Sequence, residues 1–301
     1  MNISLLTMNI KKELWEFNKL LFWVPIIILT MMVVAPLLQL MLIEDYQWNG
    51  IINQLSHVQH QPITGDLSHV AFAAISALFL PFMMVALLVQ LYYFLTCLFD
   101  ERRDLSVYFW RSMPVSDATT IAVKLFTGAL IIPAIFMLAA TAAMLMAGLL
   151  GFIGCIVLSV SYELSFWHVW GTLDIFSNIA LIWLSLIPFV LWLFPLYAWL
   201  MLMSMFANKA PFLWAILPII TLILVEAFLV NYFNLSSSFF ASTLSDYFVI
   251  HVDHVDGHVK ENINNLLPIK LLMSKVNIVA IALGVGLMYV TYWLRVNRNE
   301  A

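Results

Sequence analysis

The ionisable residues of this chain are few and bunched. Only 10% of its 301 residues are Asp, Glu, Lys or Arg, and the densest group is the run FDERRDLSVYFWRSMPVSD at 99–117. Asp100, Glu101, Arg102, Arg103 and Asp104 stand close enough to form ion pairs with one another and to cap a helix end. Phe109, Trp110 and Met113 follow at helical spacings of one and four, with Arg111 among them, and give one apolar face. Pro114 then stops the helix, and Ser116 or Asp117 can cap the next one. The chemistry of such a group is recognition. An aromatic face with a charged border fits a groove on a partner.

Two further groups invite a chemical reading. Glu226 is the one ionisable side chain deep in an apolar segment. A charge in mid-bilayer costs about 2.5–3.5 kcal/mol on insertion scales, so this residue is expected near the outer end of its span, facing the bundle, or protonated. Two roles stay open for it: a polar point on a translocation path or dimer interface, and a hydrogen-bonded carboxyl that specifies packing. His251, His254 and His258 are spaced for one helix face and interleaved with Asp253 and Asp256. Imidazole and carboxylate together could hold a divalent metal or make a proton-sensitive surface. Gly257 weakens a helix there and no cysteine assists, so no metal centre is expected. Catalytic signatures are missing: the sequence has no H-E-x-x-H, no G-x-S-x-G and no paired intramembrane Asp. None of the ten glycines precedes a lysine, so there is no phosphate-cradling G-x-x-x-x-G-K-S/T loop. The chain is expected not to be an enzyme and to hold no cofactor.

The elements that must position these residues follow from hydropathy. The chain is 63% hydrophobic with mean hydropathy +0.98, whereas a soluble domain carries roughly 25% charged residues. Apolar segments predict spans at about 21–43, 70–98, 122–150, 176–206, 211–233 and 276–295, each long enough for the ~20 residues a crossing needs. The fold class is therefore all-α: a polytopic membrane protein with six transmembrane helices in a single domain, 1–301. Residues 9–20 read as an interfacial amphipathic helix, 99–121 as the loop between spans 2 and 3, and 234–274 as a large outer loop. With a cytoplasmic N-terminus, ten basic residues (Lys11, Lys12, Lys19, Arg102, Arg103, Arg111, Lys124, Lys209, Arg295 and Arg298) fall inside, and Lys260, Lys270 and Lys275 outside. Both termini are then cytoplasmic. The apolar run at 125–162 is too long for one span, and two spans would place Lys209, Arg295 and Arg298 outside. One long span is therefore favoured, with a break or bend at Gly148, Gly151 and Gly154. Cys97 and Cys155 lie in apolar runs and build no disulfide framework. The net charge of −4 argues against a nucleic-acid partner.

The 99–117 run resembles the cytoplasmic loop of bacterial ABC transporter permeases of the type-2 exporter class. Phe99, Asp100, Glu101, Arg102, Arg103, Asp104, Ser106, Phe109, Trp110, Ser112, Pro114, Val115, Ser116 and Asp117 carry the likeness. A second window, Lys209–Ala215 with Pro218 and Glu226, is similar to the start of the fifth span in the same family, and Lys12, Glu13, Trp15 and Glu16 give a weaker third match. The resemblance implies a homodimeric transmembrane subunit in the bacterial cytoplasmic (inner) membrane. It implies docking through Asp100–Asp104, Phe109, Trp110, Arg111, Met113 and Pro114 to a separate ABC ATP-binding subunit, which would hold ATP and Mg. Membrane lipid is the remaining partner. The His-rich outer loop departs from the family pattern. The alternative from another class is a non-transporting assembly or metal-maturation component that uses that loop.

Overall fold

The computed structural model describes residues 3–59, 67–104, 116–167, 175–233, 238–249 and 268–297. Among the described residues every regular element is a helix and none is a strand. In chain order they are α1 (Ile3–Glu16), α2 (Val24–Leu42), α3 (Asp45–Gln59), α4 (Leu67–Thr96), α5 (Phe99–Arg103), α6 (Asp117–Phe126), α7 (Ile132–Tyr162), α8 (Ile175–Leu184), α9 (Leu186–Phe206), α10 (Pro211–Phe233), α11 (Phe240–Phe248), α12 (Pro268–Lys275) and α13 (Ile278–Asn297). Single π-helical turns, Lys19–Trp23 and Thr127–Ile131, precede α2 and join α6 to α7.

Among the described residues six stretches are long and apolar enough to cross a membrane: Lys19–Leu42, Ile75–Arg103, Asp117–Tyr162, Ile175–Phe206, Pro211–Phe233 and Ile278–Asn297. The protein is an all-α polytopic membrane protein, as its hydropathy predicts. Its exposed surface is apolar to match: Leu217, Leu224, Phe228, Leu283 and Val285 are each more than half exposed. A helix with such residues on its outer face is stable only where lipid replaces water.

The third stretch differs from expectation in where it deviates. Its 46 residues correspond to about 69 Å of helix, against roughly 30 Å of hydrocarbon. The helix runs unbroken through Gly148, Gly151 and Gly154. Nothing lies within 4 Å of a Cβ placed on Gly148 or Gly154, so no neighbour exploits their small size. The irregularity falls earlier, at the π turn Thr127–Ile131, where Pro133 follows. Pro133 has no N–H to offer the carbonyl four residues back, and that carbonyl belongs to Ala129. The buried Gln90 side chain covers the defect, its Nε2 donating to Gly128 O at 2.9 Å and to Ala129 O at 3.5 Å. Gly128 is the glycine that packing demands: a Cβ there would stand 2.4 Å from the Phe94 ring and 2.8 Å from that of Tyr93.

The chain divides into two compact units. Met1–Glu13, Leu88–Ile131 and Ser185–Ala301 form the first. Within it α9 packs most extensively on α13, and Gly284 admits the Phe194 ring and the backbone of Pro195. Phe94 stacks on Tyr197 with centroids 4.6 Å apart, and the Tyr197 hydroxyl donates to Gln90 Oε1 at 3.2 Å. Leu14–Leu87 and Ile132–Leu184 form the second unit, where α2 lies along α7 and Trp183 Nε1 donates to Thr141 Oγ1 at 3.1 Å.

Candidate functional site

Six charged residues and one tyrosine of the first unit gather at one end of the helices. Five segments contribute: α1 gives Lys12 and Glu13, α4 gives Tyr93, α5 gives Glu101, α6 gives Asp117 and Lys124, and α13 gives Arg295. Lys124 is at the centre and has no exposed surface. Its Nζ lies 2.9 Å from Glu13 Oε1 and 3.1 Å from Glu101 Oε1. Glu101 also meets Lys12 at 3.2 Å and Arg295 Nη1 at 3.2 Å. Arg295 Nε reaches Asp117 Oδ1 at 2.8 Å, and the Tyr93 hydroxyl donates to Glu13 Oε2 at 2.9 Å.

Among the described residues three cations and three carboxylates meet here, so their formal charges balance. That balance is what makes it tolerable. A buried charge without a partner costs several kcal/mol, and a buried pair is kept only when its geometry and remaining hydrogen bonds are satisfied. Glu13, Glu101 and Arg295 are each no more than 3% exposed, and each has at least two hydrogen-bond or ion-pair partners.

Local sequence explains how each side chain arrives. Ser116 has extended backbone and its Oγ accepts from Thr119 N at 3.2 Å, so α6 begins where the sequence places a cap. Lys124 lies seven residues beyond Asp117, two turns on, so both point to the same side of α6. On α4 and the residue just past its end, Gln90, Tyr93, Phe94 and Cys97 form one buried stripe at the i, i+3, i+4, i+7 spacing. Gly284, Thr291 and Arg295 are the buried residues of α13.

The FDERRD group is thereby split into two faces. Glu101 turns inward to the cluster. Arg102 reaches the end of α9, its Nη2 donating to Ser204 O at 2.9 Å and also to Ala207 O. Those are orphan carbonyls of a helix C-terminus, where a guanidinium is the natural cap. Ser204 returns the contact: its Oγ accepts from Phe99 N at 3.0 Å and Leu98 N at 3.3 Å, at the start of α5. Asp100, Arg103 and Asp104 form the outer face. Arg103 pairs with Asp100 at 3.2 Å and Asp104 at 3.0 Å, and the Arg103 and Asp104 side chains are 60% and 59% exposed. Phe109, Trp110, Arg111, Met113 and Pro114 lie outside the described residues.

Glu226 stands near the end of α10 and is bound to backbone. Its carboxylate accepts from the N–H groups of Phe239 and Phe240 and, at 2.8 Å, of Ala241. A negative charge thus sits on the N-terminus of α11, the favourable end of the helix dipole. Lys275 caps the other end, its Nζ donating to Asp246 O at 2.8 Å and Val249 O at 2.9 Å. Between them Trp192 Nε1 donates to Tyr247 O at 3.1 Å, and the Tyr247 hydroxyl donates to Trp192 O at 2.6 Å. Partial burial raises the Tyr247 phenol above its ordinary pKa. His251, His254 and His258 lie outside the described residues; among the described residues no group of three His, Cys, Asp or Glu side chains is placed to hold a metal.

The sequence marks Lys124 and Arg295 only as topological charges and Glu13 only as part of the N-terminal match with Lys12, Trp15 and Glu16, and it gives Tyr93 no role. The signal that could have found them is positional: each of the three charges abuts an apolar run on a helix that must continue past it. No protein-family model matches the chain, and comparison with curated proteins and with solved structures returns no match.

Proposed function

We propose that this chain is the transmembrane subunit of an ATP-binding cassette exporter of the type-2 class, two copies of which dock on ATP-binding subunits in a bacterial cytoplasmic membrane. The observation that supports this reading most is the split of FDERRD into an anchored face and an exposed one. Glu101 and Arg102 tie the segment to α1, α6, α9 and α13, while Arg103 and Asp104 face outward. A docking loop has to pass a push from a partner to the spans. A loop bound to the ends of several spans does so as a rigid piece; a solvated hairpin would absorb the motion.

In this reading the ATPase closes on nucleotide, bears on 99–117, and shifts a two-state bundle through contacts that differ between the states. The basic end of the bundle is then cytoplasmic. Phe109 and Trp110 supply the buried anchor, as aromatic residues do at most interfaces. Hydrolysis belongs to the partner, where ATP and Mg would bind.

The test is co-purification of the chain with an ATP-binding subunit encoded beside it. Phe109→Ala with Trp110→Ala should weaken the complex and its ATPase stimulation by about tenfold or more, in line with loss of an aromatic hot spot, while membrane insertion is unchanged. Unaltered co-purification and stimulation would reject the coupling role.

A further inference from the structure

The last turn of α13 has two working faces. Arg295 points into the ion cluster, and residues two positions to either side are rotated from it by about 200°. Those residues are Trp293 and Asn297, four apart and hence on one face. Together with Leu294 they line a pocket of about 500 Å³ whose other walls are Phe206 and Asn208, at the end of α9, and Trp214, in the first turn of α10. The pocket therefore lies where span 4 ends, span 5 begins and span 6 ends, on the same face of the membrane as the ion cluster.

Its lining is graded. Phe206 and Trp214 meet edge to face at 5.2 Å and form an apolar wall. Trp214 and Trp293 are 45% and 53% exposed. Among the described residues neither indole N–H donates to the protein, although those of Trp48, Trp183, Trp192 and Trp199 all do. Two indole donors and the amide of Asn297 thus border one cavity, with Asn208 also lining it. Lys209 is exposed on the same short turn as Asn208, and this is the end of the bundle that carries the excess of basic residues. Donors with an exposed lysine one residue from the lining suit a phosphate; aromatic walls at a span end suit acyl chain and glycerol backbone.

We infer that this pocket binds an anionic glycerophospholipid of the leaflet on the basic face, its phosphate at Trp214, Trp293, Asn297 and Lys209 and the start of its chains against Phe206. The volume is within the range of ligand pockets but holds only a headgroup and the first methylenes, so the tails remain in the bilayer. This site needs only that the chain spans a membrane, and it is independent of the transporter reading.

The probe is a phosphatidylglycerol carrying a diazirine near the top of one acyl chain, in nanodiscs of the full-length protein, with labelled peptides mapped by mass spectrometry. Labelling should concentrate on 206–214 and 293–297. Excess unlabelled phosphatidylglycerol should suppress it about tenfold, the equivalent of one good charge-assisted contact, and phosphatidylcholine should suppress it less. Trp293→Ala with Asn297→Leu should remove the concentrated labelling while leaving that of lipid-facing residues on α10 unchanged. Trp293→Phe, which keeps the wall and deletes the donor, should reduce it by a smaller factor in a protein of unaltered thermal stability. Suppression by soluble glycerol phosphate alone would overturn the lipid assignment in favour of a free phosphate site. Labelling at 206–214 and 293–297 no stronger than on the exposed face of α10 would overturn the site altogether.

Discussion

Lys124→Met is the sharpest perturbation of the ion cluster, because the lysine is fully buried and touches two carboxylates. The methionine fills similar volume without charge, so the loss is electrostatic. At about 3 Å and an effective dielectric near 20, each contact is worth roughly 5 kcal/mol of Coulomb energy before desolvation is subtracted. Removing one partner of a buried pair costs about 3–5 kcal/mol in practice. The two carboxylates are not equally affected. Glu101 keeps Lys12 and Arg295, both at 3.2 Å, while Glu13 keeps the Tyr93 hydroxyl at 2.9 Å and only a longer approach from Lys12 at 3.7 Å. Glu13 is therefore the group left uncompensated. Lys124→Met should lower unfolding free energy, followed by SDS titration in mixed micelles, by about 3–5 kcal/mol. Adding Glu13→Gln should recover at least ~1.4 kcal/mol of that, a factor of ten in the folding equilibrium. Adding Glu101→Gln should recover less, because it strips Arg295 and Lys12 of a partner. A Lys124→Met loss below ~1 kcal/mol, or equal recovery from the two second-site changes, would refute the cluster as a balanced unit.

Three further outcomes are expected. Gly128→Ala brings a Cβ within 2.4 Å of the Phe94 ring, so it should cost about 1–3 kcal/mol by overpacking, read in the same titration; Phe94→Leu beside it should relieve part of the cost, and a neutral Gly128→Ala would show that α4 and the π turn are not so closely apposed. Glu226→Gln keeps an acceptor for the α11 N–H groups but not the charge, and Glu226→Leu removes both, so protease cleavage near 238–249 should rise modestly in the first and strongly in the second; equal protection in both would deny the carboxylate its capping role. For topology, single cysteines at 58, 168 and 255 in a chain lacking Cys97 and Cys155 should react with an impermeant maleimide from outside and those at 106 and 209 should not; outside labelling at 209 would show that 125–162 crosses twice.

The spans were legible because hydropathy acts residue by residue: nothing distant has to be known to see that 211–233 prefers lipid. What escaped were features decided by a neighbouring helix. The glycines at 148, 151 and 154 look like a bend in isolation, yet they sit in unbroken helix, and the real irregularity is the π turn just before Pro133, where Gln90 lies across and donates to Gly128 O and Ala129 O. FDERRD was legible as a charged group, but its division was not. Asp100, Glu101 and Arg102 differ by 100° steps around a single helical turn, and only the positions of Lys124 and Ser204 determine which of them faces inward. Glu226 was expected near an outer end or hydrogen-bonded to a neighbour. Its partners are backbone N–H groups of α11, invisible to any pattern of side chains.

The cluster and the lipid pocket share α13, and that sharing constrains how the bundle can move. Arg295 leaves Glu101 and Asp117 only by giving up an ion pair to the buried Glu101 and another to the part-exposed Asp117, and its own buried guanidinium would lose both partners, so the last turn of α13 is tied to α5 and α6. Trp293 and Asn297 on its opposite face must then travel too, and with them one wall of the pocket. Phe206 is held to the same assembly, because Arg102 caps the carbonyls of α9. Trp214 opens α10, beyond Ala210, whose positive φ of 51° marks a tight, strained turn, and this start is tied to α9 by Trp199 Nε1 donating to Ala215 O at 3.1 Å. A lipid bridging Trp214 and Trp293 would favour whichever of two bundle states keeps those indoles at one phosphate, and by linkage that state would bind the lipid more tightly.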